Sequence, residues 1–291
     1  MEQYTLKDLE ILTGIKSDTI RIWEQRYHIL KAHRTPTNRR WYSGDDLCKL
    51  INISILNRNG VKISEIAAMT EGVLLKKTAE LADSKTGSDI LTDSLVIAMT
   101  RFDEAAVNEI LLRALISKGF EETFFSLIFP FLHKIGVLWH IGTVNIGAEH
   151  FISNIFRRKL IAAFDNLTPA LTPQSRRIIM FLPENEYHEL GLLYYAYILR
   201  SLGHIVLYLG QSTPVDALID VSETWKPDIL ITGTMSGISV KDSEVFVMQL
   251  SKAFPGKKVL LTGLLGDVAE KKKITGVFSC RNDKELRMLI K

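Results

Sequence analysis

The chain has 291 residues, more than one core of ordinary size holds, so two or three domains are expected. Hydrophobic residues at 46% and charged residues at 24% exclude a disordered chain, and two cysteines in no CxxC spacing, Cys48 and Cys280, argue against a disulfide framework or a zinc site. A net charge of +3 identifies no partner by itself, but Lys16 to Arg40 concentrates seven Lys/Arg against two Asp/Glu.

The opening MEQYTLKDLE is charged and lacks an apolar run, and no stretch of about 18 apolar residues occurs, so neither a signal peptide nor a spanning helix is expected. A cytoplasmic protein without membrane contact is the expectation. Leu6, Leu9 and Leu12 stand at helical spacing in a short helix opening at Thr5. Gly14 supplies a turn, and Ser17 or Asp18 can cap a second helix carrying Ile20, Ile22 and Trp23. HRTPTNRRWYS then reads as a hairpin or wing, and two further helices follow over Asp45–Asn59 and Lys62–Met69.

From Leu74 to Leu167 the pattern is helical throughout: a linker helix near 74–83, then stretches near 87–100, 103–118, 121–138 and 146–165. A four-helix bundle buries their apolar faces, with Phe124, Phe125, Phe129 and Phe131 expected in its core. Beyond Pro173 the grammar changes to RRIIMFL, HIVLYLG, DILITGT, KVLLTG and GVFSC, short β-rich runs separated by helices such as Leu190–Leu202 and Val240–Phe254. This alternation predicts a parallel sheet covered on both faces, in Rossmann-like or flavodoxin-like order, with ligands at the carboxyl ends of the strands. The expected division is 1–73, 74–170 and 171–291: a winged helix-turn-helix, a helical linker with a four-helix bundle, and an α/β domain.

Ser17, Asp18, Thr19 and Arg21 lie near the start of the second helix, where a recognition helix reaches base edges. Arg34, Arg39 and Arg40 in the wing suit phosphate contacts, and Tyr42 closes the set. The alternative is a cluster of solvated surface charges. The run IRIWEQRYHIL…RTPTNRRWYS resembles the winged-helix domain of the MerR family over residues 3–72. That resemblance implies a structural role for Trp23 and Tyr27, a double-stranded, near-palindromic operator, and a dimer or higher oligomer.

Two motifs remain. After the first strand of the α/β domain stands Glu186-Tyr187-His188-Glu189-Leu190-Gly191: an imidazole at a turn can meet a metal, Glu186 can set its tautomer, and Gly191 admits close approach of a flat ring. Such a His is more often a cap or surface residue. The segment is similar to the cobalamin signature D-x-H-x-x-G…S-x-L…G-G in its E-x-H variant, with Ser236 and Ile238 in the second position and Gly263-Leu264 in the third. Leu264 departs from that pattern and can narrow the slot for the nucleotide tail unless the loop shifts and Gly266 substitutes. Trp139-His140, followed by Glu149-His150, resembles the W-x9-E-H motif of CarH- and LitR-type light-sensing regulators.

The resemblance implies that adenosylcobalamin is the cofactor and that His188 is its lower axial cobalt ligand. Trp139 and Glu149 would contact the adenosyl group with His150 nearby, and His140 would ligate cobalt after light cleaves the Co–C bond. The implied protein is a repressor and not an enzyme, acting as a dimer or tetramer. One alternative is a MerR-like regulator whose domain has lost the cofactor and serves oligomerisation or another ligand. Another is a corrinoid carrier of a methyltransferase system, which the N-terminal winged helix disfavours.

Overall fold

The computed structural model describes residues 3–84, 88–140, 142–235 and 239–290, with backbone alone at 82–84, 88, 140 and 240. It forms two compact units, Met1–Ile155 and Phe156–Lys291. No helix among the described residues is long and apolar enough to cross a membrane.

The first unit begins with α1 (Leu6–Thr13), opened by a capping box in which Thr5 and Asp8 satisfy each other's backbone amides and closed by Gly14 at φ 74°. Next comes α2 (Ser17–Tyr27). Its N-cap is Lys16, without a side-chain cap; Ser17, expected as a cap, lies inside the first turn and donates to Glu10 Oε2 instead. Strands β1 (His33–Arg34) and β2 (Arg40–Trp41) form the antiparallel wing. Three helices follow: α3 (Gly44–Arg58), capped by Ser43 and Asp46, then α4 (Ile63–Ala67) and α5 (Glu71–Ser84). Leu9, Leu12, Ile20, Leu47, Leu50 and Ile51 are buried, as their spacing demands.

The helical segment continues with α6 (Ser88–Thr100), α7 (Glu104–Lys118), α8 (Phe120–Thr123) and α9 (Phe129–His140). Between α8 and α9 the chain widens into a π-helical turn, Phe124–Ile128, where Phe129 N–H reaches back five residues to the Phe124 carbonyl. Pro130 explains it: the ring carries no N–H and would press on the carbonyl four residues earlier, so the helix opens. Phe124 and Phe131 are buried as expected, but Phe125 points out and is exposed. The last helix, α10 (Ile146–Asp165), begins in the first unit and ends in the second.

In the second unit β3 (Arg177–Phe181), β4 (Ile205–Gly210), β5 (Ile229–Thr234), β6 (Lys258–Gly263) and β7 (Val277–Ser279) make one parallel sheet in the order β4-β3-β5-β6-β7. Helices α11 (Leu190–Ser201), α12 (Val215–Trp225), α13 (Val240–Ala253), α14 (Leu264–Lys272) and α15 (Asp283–Leu289) alternate with the strands. This is the flavodoxin-like order. The strands read as unbroken apolar runs because both sheet faces are covered. The order reverses between β3 and β5, so a crevice opens at their carboxyl ends.

Candidate functional site

The N-terminal basic cluster divides by exposure. Asp18 and Arg21 are exposed at the start of α2 and 3.4 Å apart, while Ser17 and Thr19 are half-buried. Arg34 and Arg39 stand exposed on the wing, Arg34 donating to Asn38 Oδ1 at 2.6 Å. Arg40 is half-buried, 3.8 Å from Glu24. Tyr42 does not belong with them. It is 0% exposed, pairs its backbone with Tyr4, and turns its hydroxyl to Glu24 Oε2 at 3.3 Å. Burial and the nearby Glu24 carboxylate push its phenol up to about 12. Tyr42 is therefore a wedge under the wing, and a phosphate contact would require it to leave the core.

Glu24 was not anticipated. It accepts from Tyr42 and from the Ala32 amide, at 2.9 Å, and attracts Arg40, so it pins the recognition helix to the wing. Its signal in sequence is the Glu beside Trp23, but its partners arrive 8 to 18 residues later and no spacing rule finds them.

At the end of α9, Trp139 is 38% exposed. The His140 side chain lies outside the described residues. Glu149 stands in the first turn of α10, half-buried, with its Oε2 2.6 Å from Nδ1 of the exposed His150. The pair is neighbour to neighbour along one helix turn, so His150 and Glu149 act as a unit rather than as separate contacts.

The turn after β3 is built more tightly. Glu186 is 3% exposed, yet every oxygen is used. Its Oε1 accepts from the Tyr187 amide at 2.8 Å, the His188 amide at 2.9 Å and His188 Nδ1 at 2.6 Å. Oε2 accepts the Met235 amide at 2.9 Å, across the crevice between β3 and β5. Burial alone would raise this carboxyl, but the bonds from His188 and Met235 outweigh it and hold it down to about 2. An ionised carboxylate only accepts, so Nδ1 of His188 is the donor, and in the neutral ring Nε2 carries the lone pair. The ring stands exposed at the carboxyl edge of the sheet, where an imidazole can meet a metal ion. The loop backbone is fixed from the other side: the Asn185 amide donates to Ser212 Oγ at 3.1 Å, and the Thr213 amide to the Leu182 carbonyl at 2.9 Å.

Sequence reasoning missed the second buried carboxylate beside it. Glu189 is 3% exposed and accepts from Arg157 Nε of α10, from Tyr208 OH at 2.9 Å and from Gln211 Nε2 at 3.0 Å. His188 thus stands between two acidic anchors. The partners come from α10, β4 and the loop after β4, so nothing local in the sequence announces them.

A Cβ on Gly191 would meet nothing within 4 Å, so no packing within this chain demands that glycine. Gly263 is different: at φ 59° its Cβ would collide with the Thr234 carbonyl oxygen. Leu264 opens α14 and is 45% exposed. Gly266 is buried against Ser279 and the Leu261 carbonyl, where it seats α14 on the sheet, so it does not stand in for the glycine that Leu264 replaces. Ser236 and Ile238 lie outside the described residues.

Residues 4–73 match the MerR HTH family regulatory protein model, and residues 91–163, the helical segment that carries Trp139 and Glu149, match the B12 binding domain. The chain is 30% identical over 250 residues to the HTH-type transcriptional repressor CarH of Myxococcus xanthus, covering 84% of this chain and 83% of that protein. It is 24% identical over 250 residues to the repressor CarA of the same organism, covering 85% and 81%. The structure of the Methanosarcina barkeri monomethylamine corrinoid protein superposes with a TM-score of 0.56 at 14% identity, over 70% of this chain and 99% of that one, a likeness of fold.

Proposed function

Because the chain belongs to the CarH-like family of MerR-type transcription regulators, DNA-binding proteins with a cobalamin domain and not enzymes, we propose that it represses transcription from a near-palindromic operator under the control of adenosylcobalamin and light. In this reading residues 1–73 bind DNA, 74–170 cap the cofactor and 171–291 hold it. His188 would hold the cobalt through Nε2, with Glu186 fixing the ring through Nδ1. Trp139 and Glu149, with His150 bonded to it, attend the upper ligand. His140 would be a further candidate to hold the cobalt. The chemistry that the cofactor would supply when bound is a light-cleavable Co–C bond.

The observation that carries the reading is the His188–Glu186 pair: a buried carboxylate spends three acceptor contacts on one exposed imidazole and its loop, and a fourth on the Met235 amide after β5. Gly191, open to solvent and demanded by nothing in the chain, supports close approach of a macrocycle. Ser17, Asp18, Thr19 and Arg21 read bases, and Arg34, Arg39 and Arg40 hold phosphates. As MerR-type proteins read paired half-sites, the active form is a dimer or tetramer.

The test is a visible spectrum of the full chain mixed in the dark with adenosylcobalamin, desalted, then illuminated. A retained corrinoid band that changes irreversibly with light is expected, and His188→Ala should lose the histidine-ligated spectrum while still binding DNA. Colourless wild-type protein would select the cofactor-free reading, for which Leu264 is the residue responsible. An unchanged spectrum in His188→Ala would remove that residue from the site.

A further inference from the structure

The sensor motif and the reading head share the first unit, and a continuous chain of short polar contacts joins them. The turn after Trp139 folds back on α9: the Gly142 amide donates to the Trp139 carbonyl at 2.9 Å and the Thr143 amide to the Leu138 carbonyl at 2.9 Å. This turns the Thr143 side chain away from the α9–α10 pair and into the winged-helix domain, where it is buried. Its Oγ1 donates to Asp8 Oδ1 at 2.6 Å. The other oxygen of Asp8 accepts from the Thr5 amide at 2.7 Å and the Thr5 hydroxyl at 2.6 Å, so one carboxylate serves both the cap of α1 and the turn.

The far end of α1 is held by the same helix of the bundle. Lys134 of α9 donates to the Leu12 carbonyl at 3.4 Å, and Ser54 of α3 takes the Thr13 carbonyl at 3.0 Å. Beside it Arg58, also on α3, pairs with the buried Asp93 of α6. From the middle of α1, Glu10 accepts the Ser17 amide at 3.2 Å and the Ser17 hydroxyl at 2.5 Å, which sets the first turn of α2. That turn carries the residues expected at base edges.

We propose that α1 is the transmission element of the regulator: the Trp139–Glu149 turn, through Thr143 and Asp8, sets the position of α1, and α1, through Glu10 and Ser17, sets the recognition helix. The proposal rests on the preceding reading only for what perturbs the turn, namely the state of the cofactor's upper face. Thr143 is the positioning residue. It sits between the two cap residues in sequence and touches the reading head in space. The hydroxyl–carboxylate contact is short and directional, so displacing the turn must either drag α1 or break the bond. Either event alters the equilibrium between two arrangements of the head, which is the physical content of coupling.

Amide hydrogen exchange on the full chain tests this in two arms. Without cofactor, Thr143→Val keeps the shape and deletes the donor, and should speed exchange in the first turn of α1 and at Ser17 about tenfold, the factor for one lost hydrogen bond to a charged group. Thr143→Ser should restore it. Trp139→Ala should move the same amides in the wild-type background and leave them unmoved in Thr143→Val. Amides in α1 and α2 that ignore Trp139→Ala overturn the proposal. In the second arm the protein is loaded with adenosylcobalamin, then illuminated. Wild-type protection over Leu6–Tyr27 should change with light, while Thr143→Val shows the same spectral change and no response in α1. Equal responses in the two proteins overturn the coupling. A protein that stays colourless defeats the cofactor reading alone, and the cofactor-free arm still decides the coupling.

Discussion

The His188 loop and the wing both present charged groups for a partner, but they are built in opposite ways. In the loop, Glu186 and Glu189 are buried with every bond made inside the chain, so the imidazole is aimed before any ligand arrives. On the wing, Arg34 and Arg39 are exposed and Arg40 half-buried, and the contacts of Arg34 and Arg40 with Asn38 and Glu24 can be traded for phosphates. A site for one ligand in one geometry is pre-organised by burial. A surface for a polyanion keeps long side chains in water, where their charges can be redirected at little cost.

That contrast can be broken most severely at Glu186. Glu186→Ala removes the buried carboxylate and leaves the His188 ring nitrogen and three amides without their acceptor, at a cost of about 3 kcal/mol. Thermal unfolding should fall by many degrees and the corrinoid spectrum should lose its histidine-ligated form; unaltered melting would mean the loop is not pre-organised. Arg157→Ala should cost less, about 2 kcal/mol, because the guanidinium is partly exposed although its partner Glu189 is not. A melting curve shows the loss, and a dialysis measurement should show weaker cofactor retention with His188 itself untouched.

On the wing the same substitutions should leave stability nearly intact and act on DNA. Arg39→Ala is expected to weaken binding to all sequences alike and to reduce the log–log salt slope by about 1, whereas Arg21→Ala should cost about 1–3 kcal/mol on the preferred site only. A titration at several salt concentrations separates the two, and a sequence-dependent loss in Arg39→Ala would reverse their assignments. The smallest effect belongs to Tyr42→Phe. It removes one long hydrogen bond to Glu24, worth about 0.5 kcal/mol of stability, and should leave the salt slope unchanged. A slope that falls would return Tyr42 to the DNA contacts.

The sites differ in legibility for the same reason. Asp18, Arg21, Arg34 and Arg39 are readable as surface charges because an exposed group is defined by its own chemistry and its place on a helix or turn. Tyr42 was misplaced because it follows Arg39 and Arg40 in a charged run, while its bridge to Tyr4 and its hydroxyl contact with Glu24, both distant in sequence, hold it in the core. Phe125 failed likewise: the π-helical turn shifts the phase of the helix and rotates that ring into solvent. His188 and Glu186 were found because they are two residues apart. Glu189 was passed over because Arg157, Tyr208 and Gln211 approach it from 19 to 32 residues away.

By itself the sequence determined what depends on period, spacing and local chemistry: the helical and strand runs, the parallel sheet, the winged head, the Glu186–His188 pair and the Trp139–Glu149 motif. Tertiary structure alone decided which carboxylates are buried, that Leu264 stands at the surface, that Gly266 serves packing, and that Thr143 reaches Asp8 across 135 residues. The physical reason is burial: a charged or hydroxyl group taken out of water must find its partner wherever the fold brings one, and sequence distance carries no record of that meeting.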